Sequence, residues 1–240
     1  MRIAMWSGPR NLSTAMMYAF AARGDCAVVD EPFYAAYLAA TGLQHPMRDA
    51  IMAAQSQDPT RVVGQLLGPV PAQKPHFYQK HMAQHMIPGV PRDWVNELTN
   101  VFLIRHPARV AASFSAKYDN PTLADIGFVQ QVELYEQLVA VGQSPVVIDS
   151  ADIRRNPEAM LRQLCAVIGL NWTPAMLSWP RGGHVDDGVW AAHWYAAVHD
   201  STGFAPAEGP LPELEGARAA LAEVAMPAYE RLCAVKLRLA

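Results

Sequence analysis

The sequence predicts an α/β fold, with helices layered on both faces of a central parallel sheet of about five strands. Three observations lead there. Short apolar or β-branched runs alternate along the chain with segments of helical period. The first such run, Arg2–Trp6, passes through a polar loop directly into a helix-like segment. A later one, 101–104, does the same through Pro107. The 240 residues are 51% apolar and 17% charged, enough for a sizeable core in one domain spanning 1–240.

The first strand is 2–6, followed by Ser7-Gly-Pro-Arg-Asn-Leu-Ser-Thr14 and a helix through Phe20. A strand that feeds a helix through such a loop offers unpaired backbone N–H groups and a partial positive charge to an anion. Arg10 adds a full charge, and Ser13 or Thr14 adds a hydroxyl that caps the helix or meets the anion. The loop is P-loop-like but is not GxxxxGK[ST]: counting from Gly8, Ser13 and Thr14 stand where the second glycine and the lysine belong. An ordinary capped turn would use the same residues.

The second strand, 26–30, runs into Glu31 and Pro32, and the third, 76–80, runs into His81. His81 and His85 have the i, i+4 spacing of two zinc ligands on a helix, without the glutamate of HExxH or a signalled third ligand. The fourth strand, 101–104, ends at Arg105, where open α/β sheets bind ligands. Pro107 suits the first turn of the next helix, which carries Val110, Ala111, Ser113 and Phe114. A helix is predicted over 124–140, and the fifth strand is 145–149. The helix at 157–168 has Asn156 as cap, Pro157 at its first position and Gly169 at its end. Residues 213–238 read as helical with a break or kink at Pro227. Residues 180–212 are rich in Gly and Pro and read as an irregular lid. Trp172, Trp179, Trp190, Trp194 and Tyr195 cluster there and just before, either as core or as the lining of an acceptor pocket.

The net charge of −3 argues against a general nucleic-acid or polybasic membrane surface. Three widely spaced cysteines form neither a disulfide framework nor a zinc pattern. No stretch is apolar over the roughly 18 residues of a membrane span, and the first residues lack a signal-peptide build. A reducing cytoplasm is the expectation.

Taken together, the loop and the strand-end motif resemble the sulfotransferases that use 3′-phosphoadenosine 5′-phosphosulfate. Pro9-Arg-Asn-Leu-Ser-Thr14 stands at the place of that family's Pro-Lys-Ser-Gly-Thr-Thr. Arg105-His-Pro107 and Val110-Ala-Ala-Ser113 match its Arg-Asn-Pro and Val-Ala-x-Ser, with the eight-residue step from arginine to serine kept. The resemblance implies that Pro9, Arg10, Asn11, Leu12, Ser13 and Thr14 hold the 5′-phosphosulfate, and that Arg105 and Ser113 hold the 3′-phosphate. The segment Arg181–Trp190 is loosely similar to the family's late Arg-Lys-Gly-x-x-Gly-Asp-Trp, which implies that Arg181, Gly183 and Trp190 close over the 3′-phosphate, although the spacing is off.

Two departures stand out. Arg10 replaces a lysine, so it grips phosphate but donates no proton usefully. Leu12 replaces a glycine, which bears on close backbone approach to the donor. Two bases are open. Lys80-His81 falls one residue short of the family's Lys-Thr-His, and an ordinary histidine titrates near 6.5. Glu31 stands near a glutamate base of the carbohydrate and tyrosyl-protein members, and needs its pKa raised. The implied reaction moves the sulfo group to a hydroxyl or amine of a small-molecule acceptor and requires no metal. A magnesium-dependent P-loop-like nucleotide kinase or hydrolase is the alternative, opposed by the missing lysine. A non-catalytic nucleotide-binding protein on the same scaffold is another.

Overall fold

In the computed structural model, which describes residues 1–116, 118 and 120–239, five parallel strands form the sheet. They are β1 (Arg2–Ser7), β2 (Cys26–Asp30), β3 (His76–Met82), β4 (Thr99–Ile104) and β5 (Val146–Asp149), in the order β2-β3-β1-β4-β5. Register is set along β1, where Trp6 lies beside His81 of β3 and Phe102 of β4. Each predicted strand is present within about two residues of its expected bounds.

The helices are α1 (Ser13–Ala21), α2 (Tyr34–Thr41), α3 (Arg48–Ala54), α4 (Pro59–Leu67), α5 (Pro107–Phe114), α6 (Phe128–Ala140), α7 (Ser150–Arg155), α8 (Pro157–Ile168), α9 (Ala191–Trp194), α10 (Ala196–His199) and α11 (Gly216–Cys233). Strand alternation sends Ile3 and Met5 to one face, where they meet Met16, Phe20, Leu161 and Leu164 of α1 and α8. It sends Ala4 and Trp6 to the other, where Leu66, Leu134, Leu138 and Leu232 of α4, α6 and α11 cover them. The result is the three-layer α/β/α arrangement.

The helix at 157–168 has the predicted bounds, with Asn156 Oδ1 accepting from Ala159 N and Gly169 left-handed at φ 73°. Three expectations are corrected. The segment 124–140 is divided at Gly127, whose φ is 70° and whose missing Cβ leaves room for Gln84 Oε1, 2.9 Å from where a Cβ would stand. α11 runs unbroken through Pro227 and is shorter than 213–238. The region 180–212 is not wholly irregular, since α9 and α10 lie within it.

Connections from β1 lead toward β2, whereas those from β4 lead toward β5. Adjacent strands whose exits diverge leave a crevice at their carboxyl ends. Residues 9–14 and Arg105 open onto this crevice.

Candidate functional site

The turn after β1 is fixed before any ligand is considered. Asn11, fully buried, donates through Nδ2 to Leu103 O at 3.2 Å and so ties the loop to β4. Gly8 passes the backbone of Ile126 so closely that a Cβ would stand 2.3 Å from its carbonyl oxygen. Arg10 and Leu12 are left-handed, with φ of 63° and 72°. A non-glycine residue held there costs about 1–3 kcal/mol, so surrounding structure must enforce it. Leu12 therefore keeps the twist that a glycine would adopt freely. It is also the residue before α1, and no side chain caps that helix, contrary to the expectation for Ser13 or Thr14.

Pro9, Arg10, Asn11, Leu12, Ser13 and Thr14 all line one cavity of about 270 Å³ at the carboxyl edge of the sheet. Glu31, Lys80, Gln84, His85 and Arg105 enter it from the ends of β2, β3 and β4, and Tyr34, Tyr37, Phe114, Tyr118 and Trp194 give it an aromatic side.

Arg10, Arg105 and Ser113 meet. Arg10 Nε donates to Ser113 Oγ at 2.9 Å, and Arg105 Nη1 donates to the Arg10 carbonyl at 2.6 Å. Burial, and then the neighbouring Arg105 charge, hold the Arg10 pKa below the ordinary arginine value. Among the described residues no carboxylate pairs with Arg10. Glu31, an acid at the end of β2 that lines the cavity, pairs with Lys80 instead. A half-buried cation beside a second cation, in a cavity, favours a negative charge by elementary electrostatics.

Opposite the loop lies a buried polar cluster. Lys80, 1% exposed, donates to Asp30 Oδ1 at 2.7 Å, Glu31 Oε1 at 2.6 Å and Tyr195 Oη at 2.6 Å. Trp190 Nε1 also donates to Tyr195 Oη, at 2.9 Å. Two carboxylates share one ammonium, so one negative charge is uncompensated. Burial first, and then Asp30, push the Glu31 pKa up, while Lys80 and Tyr195 oppose that rise. Burial pulls on the Lys80 ammonium, but Asp30 and Glu31 together hold its pKa above the ordinary value. Glu31 is thus a carboxylate facing the cavity with a raised affinity for a proton.

Of the other predicted residues, His81, Arg181, Gly183 and Trp190 do not line the cavity. His81 is 2% exposed, stacks on Trp6 with centroids 4.3 Å apart, and reaches Gln79 Oε1 at 3.2 Å. Burial lowers its pKa to about 3. Strand alternation turns it into the face covered by Trp94 and away from the cavity, so geometry does not support it as the base. His85 belongs to a 3-10 turn over 83–85 and not to a helix shared with His81, so the i, i+4 zinc pairing does not form. Arg181 and Gly183 lie in an exposed turn that does not line the cavity. Trp190 is core: its indole packs where a Gly188 Cβ would be, and it stands edge-on to Tyr34. Of the aromatic cluster, Trp194 and Tyr195 reach the cavity, while Trp179 is buried under α1.

Sequence reasoning missed Lys80 and Asp30 as parts of the site, and offered Tyr195 only as core or as acceptor-pocket lining. A signal existed: a lysine inside a buried strand needs a partner, and the adjacent acids Asp30 and Glu31 end the neighbouring strand.

A family model described as "Sulfotransferase domain" matches residues 1–237. The chain is 38% identical, over 202 residues and 84% of its length, to "Branched-chain-amino-acid aminotransferase-like protein 1" of Arabidopsis thaliana. It is 37% identical over the same span to protein 2 of that name from the same plant. The match covers 36% of each, so the chain spans about a third of the length of these curated relatives. Among solved structures it is similar to the sulfotransferase domain of the Synechococcus PCC 7002 olefin synthase, at 18% identity and a TM-score of 0.49, covering 93% of this chain and 94% of that one. It is also similar to the sulfotransferase domain from the curacin biosynthetic pathway, at 15% identity and a TM-score of 0.48, covering 92% and 96%.

Proposed function

The chain belongs to the sulfotransferase-domain family, and from that membership we propose that it binds 3′-phosphoadenosine 5′-phosphosulfate in the cavity and transfers the sulfo group to a hydroxyl or amine of a small-molecule acceptor. The observation that carries this reading is Arg10: a half-buried guanidinium lining the cavity, with Arg105 beside it and no carboxylate partner among the described residues.

The donor supplies an activated sulfo group. The chain's residues do the rest by positioning and charge. The 9–14 turn and the start of α1 hold the 5′ end, and Arg105 with Ser113 holds the 3′-phosphate. Arg10 stabilises charge that develops on the leaving phosphate, and because a guanidinium keeps its proton it acts as a charge and not as an acid. Glu31 takes the acceptor's proton. Lys80, Asp30 and Tyr195 position Glu31 and set its basicity. The aromatic side of the cavity receives the acceptor, and residues 194–205, several of which line the cavity, cover the donor. No metal has a role in this scheme.

The test is formation of 3′-phosphoadenosine 5′-phosphate from the sulfo donor, with and without a panel of small alcohols, phenols and amines. Acceptor-stimulated release of the bisphosphate is expected. Release that requires magnesium and a nucleoside triphosphate instead would replace this reading with the kinase one.

A further inference from the structure

A cluster of four charged side chains lies beside this cavity. Glu208, on the segment after α10, is held by three arginines from three different elements. Its Oε1 pairs with Arg105, which follows β4, and with Arg154 of α7 at 2.7 Å. Its Oε2 lies 3.0 Å from Arg109 Nε of α5. The Glu208 side chain is 5% exposed, and those of the arginines are 17, 16 and 21% exposed.

The charges do not balance. Three guanidinium groups face one carboxylate. The other acids nearby are engaged elsewhere: Asp149 with Tyr229 and Lys236, and Asp152 with Lys236 and Arg155. Nor is the geometry complete, because Glu208 Oε2 is buried and receives no aligned hydrogen bond despite its closeness to Arg109. A phosphate monoester carries up to two charges and three acceptor oxygens, which match three forked donors better than a carboxylate does. The same arginines hold the chain around Glu208. Arg154 Nε donates to Pro206 O at 2.8 Å, and Arg109 donates to Gly209 O.

We infer that Arg105, Arg109 and Arg154 form a phosphate-monoester site that Glu208 occupies as an internal competitor, so that the incoming phosphate displaces the carboxylate and frees the 206–209 strap. Identifying that phosphate as the donor's 3′ group rests on the function proposed above; the anion site itself does not. Displacement exchanges a monoanion for a dianion within the same donor set. A ligand's apparent affinity falls by the fraction of molecules whose site is open, so a carboxylate that occupies the site nine times in ten weakens binding about tenfold.

The test is calorimetry on the intact chain and on Glu208→Gln and Arg154→Ala, titrated with 3′-phosphoadenosine 5′-phosphate, adenosine 5′-phosphate and inorganic phosphate. Glu208→Gln is expected to bind the bisphosphate and inorganic phosphate about tenfold more tightly, with adenosine 5′-phosphate unchanged. Arg154→Ala is expected to bind the first two about tenfold more weakly. If Glu208→Gln leaves both unchanged or weaker, or if Arg154→Ala affects neither, Glu208 is a structural strut and the inference is overturned. If the bisphosphate binds none of the proteins while Glu208→Gln still tightens inorganic phosphate, the anion site stands and the donor assignment falls.

Discussion

Arg10 Nε and Ser113 Oγ are hydrogen-bonded at 2.9 Å although 103 residues separate them in the chain. The bond joins the turn after β1 to the second turn of α5, and Arg105 closes the arrangement through the Arg10 carbonyl. Two stretches that look independent in sequence form one cationic wall. It belongs to the strand order, which sets β1 and β4 side by side with their exits diverging.

Arg10 is expected to matter more for turnover than for resting affinity. Charge on the leaving phosphate grows as the sulfur–oxygen bond breaks, and a fixed cation in a partly dry loop favours the later state. Arg10→Ala is expected to lower sulfo transfer, or slow donor hydrolysis, by about 10²-fold, with a much smaller loss of affinity for the bisphosphate product. Arg10→Lys is expected to retain part of the activity. Collapsed binding at an unchanged rate would make Arg10 a docking residue only.

Much of this wall is legible in the sequence, because it depends on local signals: an apolar run, a polar turn, and a proline at the first position of a helix. Asn156-Pro157 and Gly169 likewise mark both ends of α8. Other elements were present in the sequence but not read. Asp58-Pro59 carries the same cap-and-proline signal for α4, with Asp58 accepting from Thr60 N. α2 hides for a different reason: Tyr34 to Leu38 are all buried, so no polar face gives it a helical period. The clusters at Lys80 and at Glu208 join residues about 50 to more than 150 positions apart, so a local signal such as a lysine in a buried strand shows that a partner is needed but not which residue supplies it. His81 misled because a family motif off by one residue in a strand turns the side chain to the opposite face.

With Glu31 as the proposed base, the rate is expected to take its pH dependence from this carboxylate. A general base works when deprotonated, so transfer is expected to rise with pH through the Glu31 pKa, which burial places above the usual carboxylate range near 4.3. Glu31→Gln is expected to abolish that rise and lower the rate by about 10²-fold or more. Lys80→Met removes the ammonium opposing protonation and is expected to move the rise to higher pH. It also leaves two buried carboxylates uncompensated, at a cost of about 3–5 kcal/mol in stability. A pH–rate profile of Lys80→Met that superimposes on that of the wild type would exclude Lys80 from tuning Glu31.

His81 is expected to act on stability, not on transfer. Its folded pKa of about 3 lies below the unfolded value near 6.5. The unfolded chain therefore binds more protons between these values, and the contribution is full above 6.5 and lost as pH falls toward 3. His81→Phe is expected to flatten the fall in melting temperature over that window while keeping transfer within a few-fold. Loss of transfer in a folded His81→Phe protein would restore the histidine as base.

The most direct measurement is calorimetric titration of wild type and Arg105→Ala with 3′-phosphoadenosine 5′-phosphate, adenosine 5′-phosphate, and ATP with magnesium. The bisphosphate is expected to bind wild type most tightly, and Arg105→Ala to weaken it by about 2–3 kcal/mol, the scale of a lost charge-assisted contact, with adenosine 5′-phosphate barely affected. Tightest binding of ATP with magnesium, or equal losses for both adenosine ligands in Arg105→Ala, would contradict a cavity built for a 3′-phosphorylated sulfo donor.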